Sequence, residues 1–294
     1  MSRREVFLDA VPALPRLYAE ALAHQVRNRL TSPGGPGRDL VLPDVEHVVS
    51  GIRPDQAQLE AYQALVADTV RPTLPSVFVH GTVFPVAMSV LAARDFPLPL
   101  LGMVHLSNQV EHLRPLGVEE TLDVRAWAQK LRAHHAGTAV DVVCEASIAG
   151  DVVWVGTSTY LAKGIWAGPK PERRGDREAF TAPRQTGAWR LGSGTGREYA
   201  AVLGDYNPIH LGALPAKALG MKRQIAHGMF LAGKALAQTA PRAGGYHWDI
   251  VFEAPVLLPS TVAFGVTTTD TLLAFEGWNA AKGRRHFRGA VRPL

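Results

Sequence analysis

The chain has one cysteine, Cys144, in 294 residues. A single thiol cannot close an internal disulfide or build a thiolate-rich metal centre, which excludes a disulfide-stapled scaffold and a Cys-based zinc site. Cys144 alternates with Val142 and Ala146 along an expected strand, so it reads as core filling rather than as a nucleophile. Long apolar runs are missing too. The most apolar stretch, Val77 to Leu106, is broken by His80, Ser89, Arg94, Asp95 and three prolines, and falls short of the roughly 20 residues a membrane-crossing helix needs. The opening Met-Ser-Arg-Arg-Glu is followed by Asp9 and prolines where a secretory signal would be apolar, so a cytoplasmic protein is expected. Basic residues outnumber acidic ones, 31 to 26. The basic clusters at Lys170 to Arg177 and Arg284 to Arg292 lack the interleaved aromatics that single-strand binding uses, so no nucleic-acid partner is expected.

What is present is enough apolar residue for a substantial core and enough length for two domains or one duplicated fold. Helical spacing marks Leu14 to Leu30, ended by Ser32-Pro33-Gly34-Gly35-Pro36-Gly37, and Pro54 to Val70. Val77 opens a short strand, followed by a helix over Thr82 to Arg94 and then strands near Met103–Glu111, Thr121–Leu131, Thr138–Ala149 and Val152–Ala162. Gly164 to Gly187 is rich in Gly, Pro and charge and reads as a linker. Beyond it the pattern is a strand at Ala188–Leu191, a short helix over Arg197–Leu203, a helix over Gly228–Thr239, and strands near His247–Ala254, Thr261–Thr269, Leu272–Asn279 and His286–Val291. Val79-His80-Gly81 before one helix answers Ala226-His227-Gly228 before the other, a weak internal repeat. The expected division is an N-terminal domain over 1–165, a linker over 166–187 and a C-terminal domain over 188–294, of the α+β class.

Chemistry concentrates in Gly204-Asp205-Tyr206-Asn207-Pro208-Ile209-His210. Asn207 suits a helix N-cap, Pro208 the first helical position and Gly220 the far end, which predicts a helix from Pro208 to Leu219. Asp205 then lies in the turn before it and His210 in its first turn, so the two side chains can converge on a ligand. A capped helix start with a surface histidine explains the same residues. The second fragment, Gln224-Ile225-Ala226-His227-Gly228-Met229, favours a site, because Gly228 leaves free N–H groups at the positive end of an apolar helix, where an oxyanion would be held. His227 reads as shaping this loop by packing or hydrogen bonding. Lys222 and Arg223 suit phosphate contacts or a solvated turn equally.

The stretch Tyr199 to His210, with Ala216 six residues on, resembles the motif of the MaoC-like (R)-specific enoyl-CoA hydratases, the hydratase 2 group, and Ile225-Ala226-His227-Gly228-Met229 resembles their second segment. Leu203 departs from the family pattern, which has a small or hydroxyl residue there. The overall length, Phe96-Pro97 and Leu101 to Leu106 are similar to double-hotdog members. The resemblance implies a double hotdog, in which two antiparallel sheets each wrap a central helix as an internal pseudo-dimer, with a degenerate first half walling an apolar acyl tunnel. It also implies Asp205 and His210 as the acid–base pair, the Gly228 N–H on the thioester carbonyl, and Asn207, Pro208 and His227 as site-shaping residues. The substrate would be an acyl-CoA or acyl-carrier-protein thioester, with no cofactor, no metal and no membrane partner, in a monomeric pseudo-dimer or a homodimer. Two readings from other classes remain beside the hydratase: a catalytically silent acyl-thioester-binding subunit, and a hotdog thioesterase. A dehydratase of polyketide or mycolic-type lipid synthesis shares the hydratase mechanism.

Overall fold

The structure, a computed structural model, describes residues 3–31, 40–172 and 179–294. The expected loop at Ser32 to Gly37 and the stretch 173–178 of the linker and basic cluster lie outside the described residues. The first half of the chain runs β1 (Arg4–Phe7), α1 (Leu14–Thr31), β2 (Val45–Ile52), α2 (Gln56–Val66), α3 (Ser76–Leu91), β3 (Val104–His112), β4 (Leu122–His134), β5 (Gly137–Ile148) and β6 (Asp151–Lys163). The second half runs β7 (Gly187–Leu191), α4 (Thr195–Leu203), α5 (Pro208–Leu211), α6 (Ala213–Ala218), α7 (Gly228–Thr239), β8 (Tyr246–Phe252), β9 (Ser260–Thr268), β10 (Leu273–Asn279) and β11 (Arg284–Pro293). The residues gather into two compact units. One comprises Met1–Ile52, Val83–Leu106 and Thr121–Asp176, and the other Arg53–Thr82, Ser107–Glu120 and Arg177–Leu294.

In the first unit the strands run in the order β1-β2-β4-β5-β6. The β1–β2 pair is parallel and the rest antiparallel. Val140, Val142, Cys144 and Ala146 of β5 share one face and are all buried, and Ala139, Asp141 and Val143 on the other face are buried as well. Burial pushes the Cys144 thiol up to about 12, so it stays protonated in its core position. β5 turns into β6 through Ala149 and Gly150, both at positive φ (50° and 90°), the backbone a two-residue hairpin needs to match strand twist. The second part of α3 belongs to this unit, and Ser89 Oγ lies 2.7 Å from Nδ1 of His47 on β2.

In the second unit six strands run β3-β8-β11-β10-β9-β7, every neighbouring pair antiparallel. Helix α7 lies against this sheet: a Cβ on Gly228 would stand 2.8 Å from Cζ of Phe252 on β8. Trp189, Phe264, Phe275 and Phe287 form an aromatic core among β7, β9, β10 and β11, with centroid separations from 4.5 to 6.4 Å. Two segments from the first half of the chain complete the unit. β3 pairs with β8, and α2 packs on the helices of the second half. The N-terminus of α2 is held by Asp55, whose carboxylate accepts from Gln58 N at 2.7 Å, and Gln58 Nε2 donates to Val202 O at 2.7 Å. Farther along α2, the buried Tyr62 presses on Gly233 of α7, where an added Cβ would lie 2.5 Å from the Tyr62 hydroxyl.

The fold is α+β and places a hotdog arrangement of sheet and helix in each unit, the class that the resemblance implied. Three local expectations are corrected. Val77 opens no strand, because the carbonyl of Pro75 accepts from Phe78 N and Val79 N and the chain enters α3 at Ser76. Val79-His80-Gly81 therefore lies inside α3, unlike Ala226-His227-Gly228 at the start of α7, which weakens the repeat. Strands β1 and β2, in a stretch with no strand expectation, flank one edge of the first unit. Among the described residues no helix is long and apolar enough to cross a membrane.

The Tyr62–Gly233 contact yields a stability test. Gly233→Ala overpacks a filled site, which costs about 1–3 kcal/mol and outweighs the roughly 1 kcal/mol that alanine gains in a helix. The denaturant midpoint should fall, and the loss should shrink in a Tyr62→Phe background, where the colliding hydroxyl is gone. Equal losses in both backgrounds would show that the hydroxyl is not the obstacle.

Candidate active site

The site begins where α4 stops. Gly204 adopts the left-handed conformation at φ 78° and its N–H bonds Ala200 O, an ending that a residue with a side chain would adopt only at a cost. Asp205 follows at once. Its Oδ1 accepts from Asn207 N at 3.2 Å, and Asn207 Oδ1 accepts from Ile209 N at 3.3 Å, capping α5 with Pro208 in its first turn. The expected helix from Pro208 to Leu219 is corrected to two, α5 and α6, parted at the extended Gly212 (φ −173°). Pro215 is the reason. In an unbroken helix its ring would meet the carbonyl of Leu211 and no N–H would be offered to it, whereas the break puts Pro215 in the first turn of α6.

His210 is carried on the short α5, and α4 packs directly behind it. A Cβ on Gly196 would run into the His210 carbonyl oxygen, and Arg197 donates to Leu211 O at 3.0 Å. The loop 219–227 returns beside α5: Ile225 N donates to Ile209 O at 3.1 Å, and Ala226 N donates to Val256 O at 2.9 Å. His210 Nδ1 then donates to Ile225 O at 2.9 Å. Since a carbonyl only accepts, the proton of the neutral ring sits on Nδ1 and Nε2 carries a bare lone pair.

His227 closes the cluster. Its Nε2 donates to the main-chain oxygen of Asp205 at 3.0 Å and lies 3.6 Å from that residue's Oδ2. Its ring stacks on His210 with centroids 3.6 Å apart and planes at 26°, while Tyr199 covers it at 4.6 Å. Burial is the largest force on both histidines. It pushes His210 down to about 3, reinforced by neighbouring His227 and opposed by Asp205 and the Ile225 carbonyl. His227 is pushed down to about 3 by the same burial, against its bond to Asp205. Both rings are neutral at pH 7.

Gly228 is the first residue of α7. Its N–H has no acceptor in the helix, and the preceding His227 supplies no side-chain cap. Because His227 touches both Asp205 and His210, the positive end of α7 starts at this cluster. Lys222 and Arg223 are exposed in the loop before it. Leu203, the departure from the family motif, is buried and fills the space over Gly81 of α3, where a Cβ would come within 2.9 Å of its Cδ1. Asp205, His210 and His227 are also the one group among the described residues whose potential metal-ligand atoms lie mutually close, within 4.8 Å. Two of the four ring nitrogens are already committed to carbonyls. Rings stacked face to face do not point their lone pairs at a shared point about 2 Å from each, as a common ion requires.

The sequence motif thus located Asp205, Asn207, Pro208, His210, His227 and Gly228 in one place. It missed the Ile225 carbonyl, the Tyr199 ring and Gly196. A glycine inside a short helix was the available signal for the last, since it is costly without a packing reason.

The model of the MaoC-like domain family matches residues 181–285, which include the whole site. The 3-hydroxyacyl-thioester dehydratase X of Mycobacterium tuberculosis is 33% identical over 262 residues, covering 86% of this chain and 91% of the relative. The chain belongs to the MaoC-like dehydratase family. The crystal structure of HtdX of Mycobacterium tuberculosis aligns at a TM-score of 0.75 and 32% identity, over 85% of this chain and 100% of the other. A MaoC-like dehydratase from Phytophthora capsici shares the fold at a TM-score of 0.62 and 18% identity, over 87% of this chain and 96% of its own. Family likeness therefore reaches well into the first half, where the motif is missing.

Buried neutral histidines make stability depend on pH in a definite direction. His210 and His227 lie at about 3, and His112, buried against Tyr246, at about 4. Unfolded histidine titrates near 6.5. Between these values the unfolded chain binds more protons, so stability is intact above about 6.5 and falls as the pH drops below it, by about 1.4 kcal/mol per pH unit for each such histidine. Urea midpoints should decrease steadily from pH 7 to pH 5, and His112→Phe should flatten the slope. A flat profile for the native chain would contradict the buried neutral state.

Proposed function

We propose that this chain adds water to trans-2-enoyl thioesters to give (3R)-3-hydroxyacyl thioesters and dehydrates them in reverse, a hydro-lyase of the hydratase 2 or 3-hydroxyacyl-carrier-protein dehydratase type in fatty-acid or related lipid metabolism. One observation carries the reading: a neutral His210 with its Nδ1 proton committed to a carbonyl and its Nε2 lone pair bare, within 4.8 Å of the Asp205 carboxylate through their ligand atoms, where a helix begins with a glycine N–H that has no acceptor in the helix. Binding alone requires neither side chain.

Hydration needs a proton removed from water as its oxygen attacks Cβ, a proton delivered to Cα, and the enolate charge held on the thioester oxygen. Asp205 and His210 jointly orient the water and carry the proton, a function worth roughly 10²- to 10⁴-fold. The Gly228 N–H holds the oxygen, a kind of donor whose loss costs about 2.7–4 kcal/mol elsewhere. Asn207 and Pro208 fix the corner that presents Asp205. No cofactor enters this chemistry. In this reading residues 188–294 form the catalytic domain, 166–187 the linker, and 1–165 a degenerate copy that walls the acyl chain. The protein acts in the cytoplasm as a monomer or homodimer, without nucleic-acid or membrane partners.

Lys222 and Arg223 meet the phosphates common to coenzyme A and a carrier protein's phosphopantetheine arm. In support, no Asp or Glu occurs from Tyr206 to Trp248 to compete for them.

The test is an absorbance assay on C4 to C16 enoyl-CoA substrates and the matching carrier-protein thioesters, with chiral analysis of the product. Asp205→Asn and His210→Ala should each lower kcat at least 10²-fold in a folded chain. Release of free thiol in place of hydration would make the protein a thioesterase, and near-normal turnover in either variant would remove the acid–base pair. Lys222→Ala with Arg223→Ala should raise KM several-fold and leave kcat unchanged. An unchanged KM returns these residues to a solvated turn.

A further inference from the structure

His227 contacts both members of the proposed acid–base pair, yet the mechanism gives it no proton to move. We infer that His227 is a positioning residue that stays neutral throughout turnover, anchoring the Asp205 main chain with its Nε2–H and holding the His210 ring in one orientation by stacking. The inference rests on the reading of Asp205 and His210 as the acid–base pair and assigns the third member of the cluster its task.

The two ring nitrogens of His227 decide its charge. Nε2 faces the Asp205 carbonyl at 3.0 Å, which can only accept, so the proton of the neutral ring is fixed there. Nδ1 is buried with no hydrogen-bond partner among the described residues. A second proton would place an N–H on Nδ1, an atom buried from solvent, with nothing among the described residues to receive it, the costly case for a buried polar group. His227 is therefore a poor proton carrier by geometry, whatever its basicity in water.

Its contacts explain what a neutral ring accomplishes. Asp205 follows the left-handed Gly204 and precedes the Asn207 cap, so its main chain lies in the turn between α4 and α5, outside the sheet. The bond from His227 ties that carbonyl to a residue 22 positions away at the mouth of α7. The His227 ring also stacks on His210 with centroids 3.6 Å apart, and Tyr199 packs on His227 at 4.6 Å with its ring tilted by 41°. In its own plane the His210 ring is held by its bond to the Ile225 carbonyl. The stack restrains the tilt of the ring, while the Ile225 bond decides which nitrogen stays bare.

Two independent measurements test this. Nitrogen-15 NMR of the histidine rings in the full-length chain should show His210 protonated on Nδ1 and His227 on Nε2, with neither titrating between pH 5.5 and 8. Titration of the His227 ring in that range would overturn the inference without any variant. In kinetics, His227→Ala should lower kcat at least about 30-fold with KM within threefold. His227→Gln, which keeps an N–H donor, and His227→Phe, which keeps the ring, should each recover part of the loss. A folded His227→Ala chain with kcat within threefold of wild type, or a loss confined to KM, would refute positioning. A wild-type chain that hydrates no enoyl thioester would instead overturn the proposed function, and the NMR arm would still decide the state of His227.

Discussion

The bond from His227 to the Asp205 carbonyl, continued by the stack onto His210, is the constraint around which the site is arranged. It joins two stretches that the chain delivers from different directions, the turn after α4 and the start of α7. Everything nearby serves to keep that junction closed. Gly196 lets α4 touch the His210 backbone, the Ile225 loop is stitched to both α5 and the Val256 segment between β8 and β9, and Tyr199 packs on the His227 ring. The result is a small buried cluster in which two imidazoles remain uncharged and a carboxylate sits at the edge. Such an environment keeps a base ready at neutral pH and makes a nearby backbone dipole more effective than it would be in water.

The sheet and the helices contribute differently to this. The six antiparallel strands of the second unit give α7 a rigid floor, and Phe252 beneath Gly228 explains in packing terms why the first helical residue has no side chain. The same glycine that suits the packing leaves an N–H without an internal partner, so one residue type satisfies the sterics and the chemistry together. Leu203 illustrates the opposite relation. It fills the space above Gly81, packing behind the site while Asp205 and His210 stay together.

Much of this was legible in the sequence where local rules act alone. The meander β4 to β6 followed from alternation, and α7 began at the residue where apolar helical spacing meets a glycine. The motif placed Asp205 and His210 correctly at a capped helix start. It failed where a neighbouring residue overrode the local pattern: Pro215 cut one expected helix into two, and the Pro75 carbonyl drew the β-branched Val77 and Val79 into a helix. Strand β2 escaped notice because Glu46 and His47 are buried beside its valines, which erases the alternation that marks a half-buried strand. The ring stack was invisible for a deeper reason. It depends on residues 17 and 28 positions apart meeting in space, and no periodicity encodes that.

The position of α2 carries a further consequence. Tyr62 on Gly233, Gln58 on Val202 and the β3–β8 pairing mean that the half bearing the motif borrows a helix and an edge strand from the half that lacks it. If the chain arose by joining two copies of an ancestral gene, the copies have since exchanged structural parts. Fission at the linker would then no longer give back two self-sufficient proteins, because the second unit would lose a helix and a strand that the first half of the chain supplies.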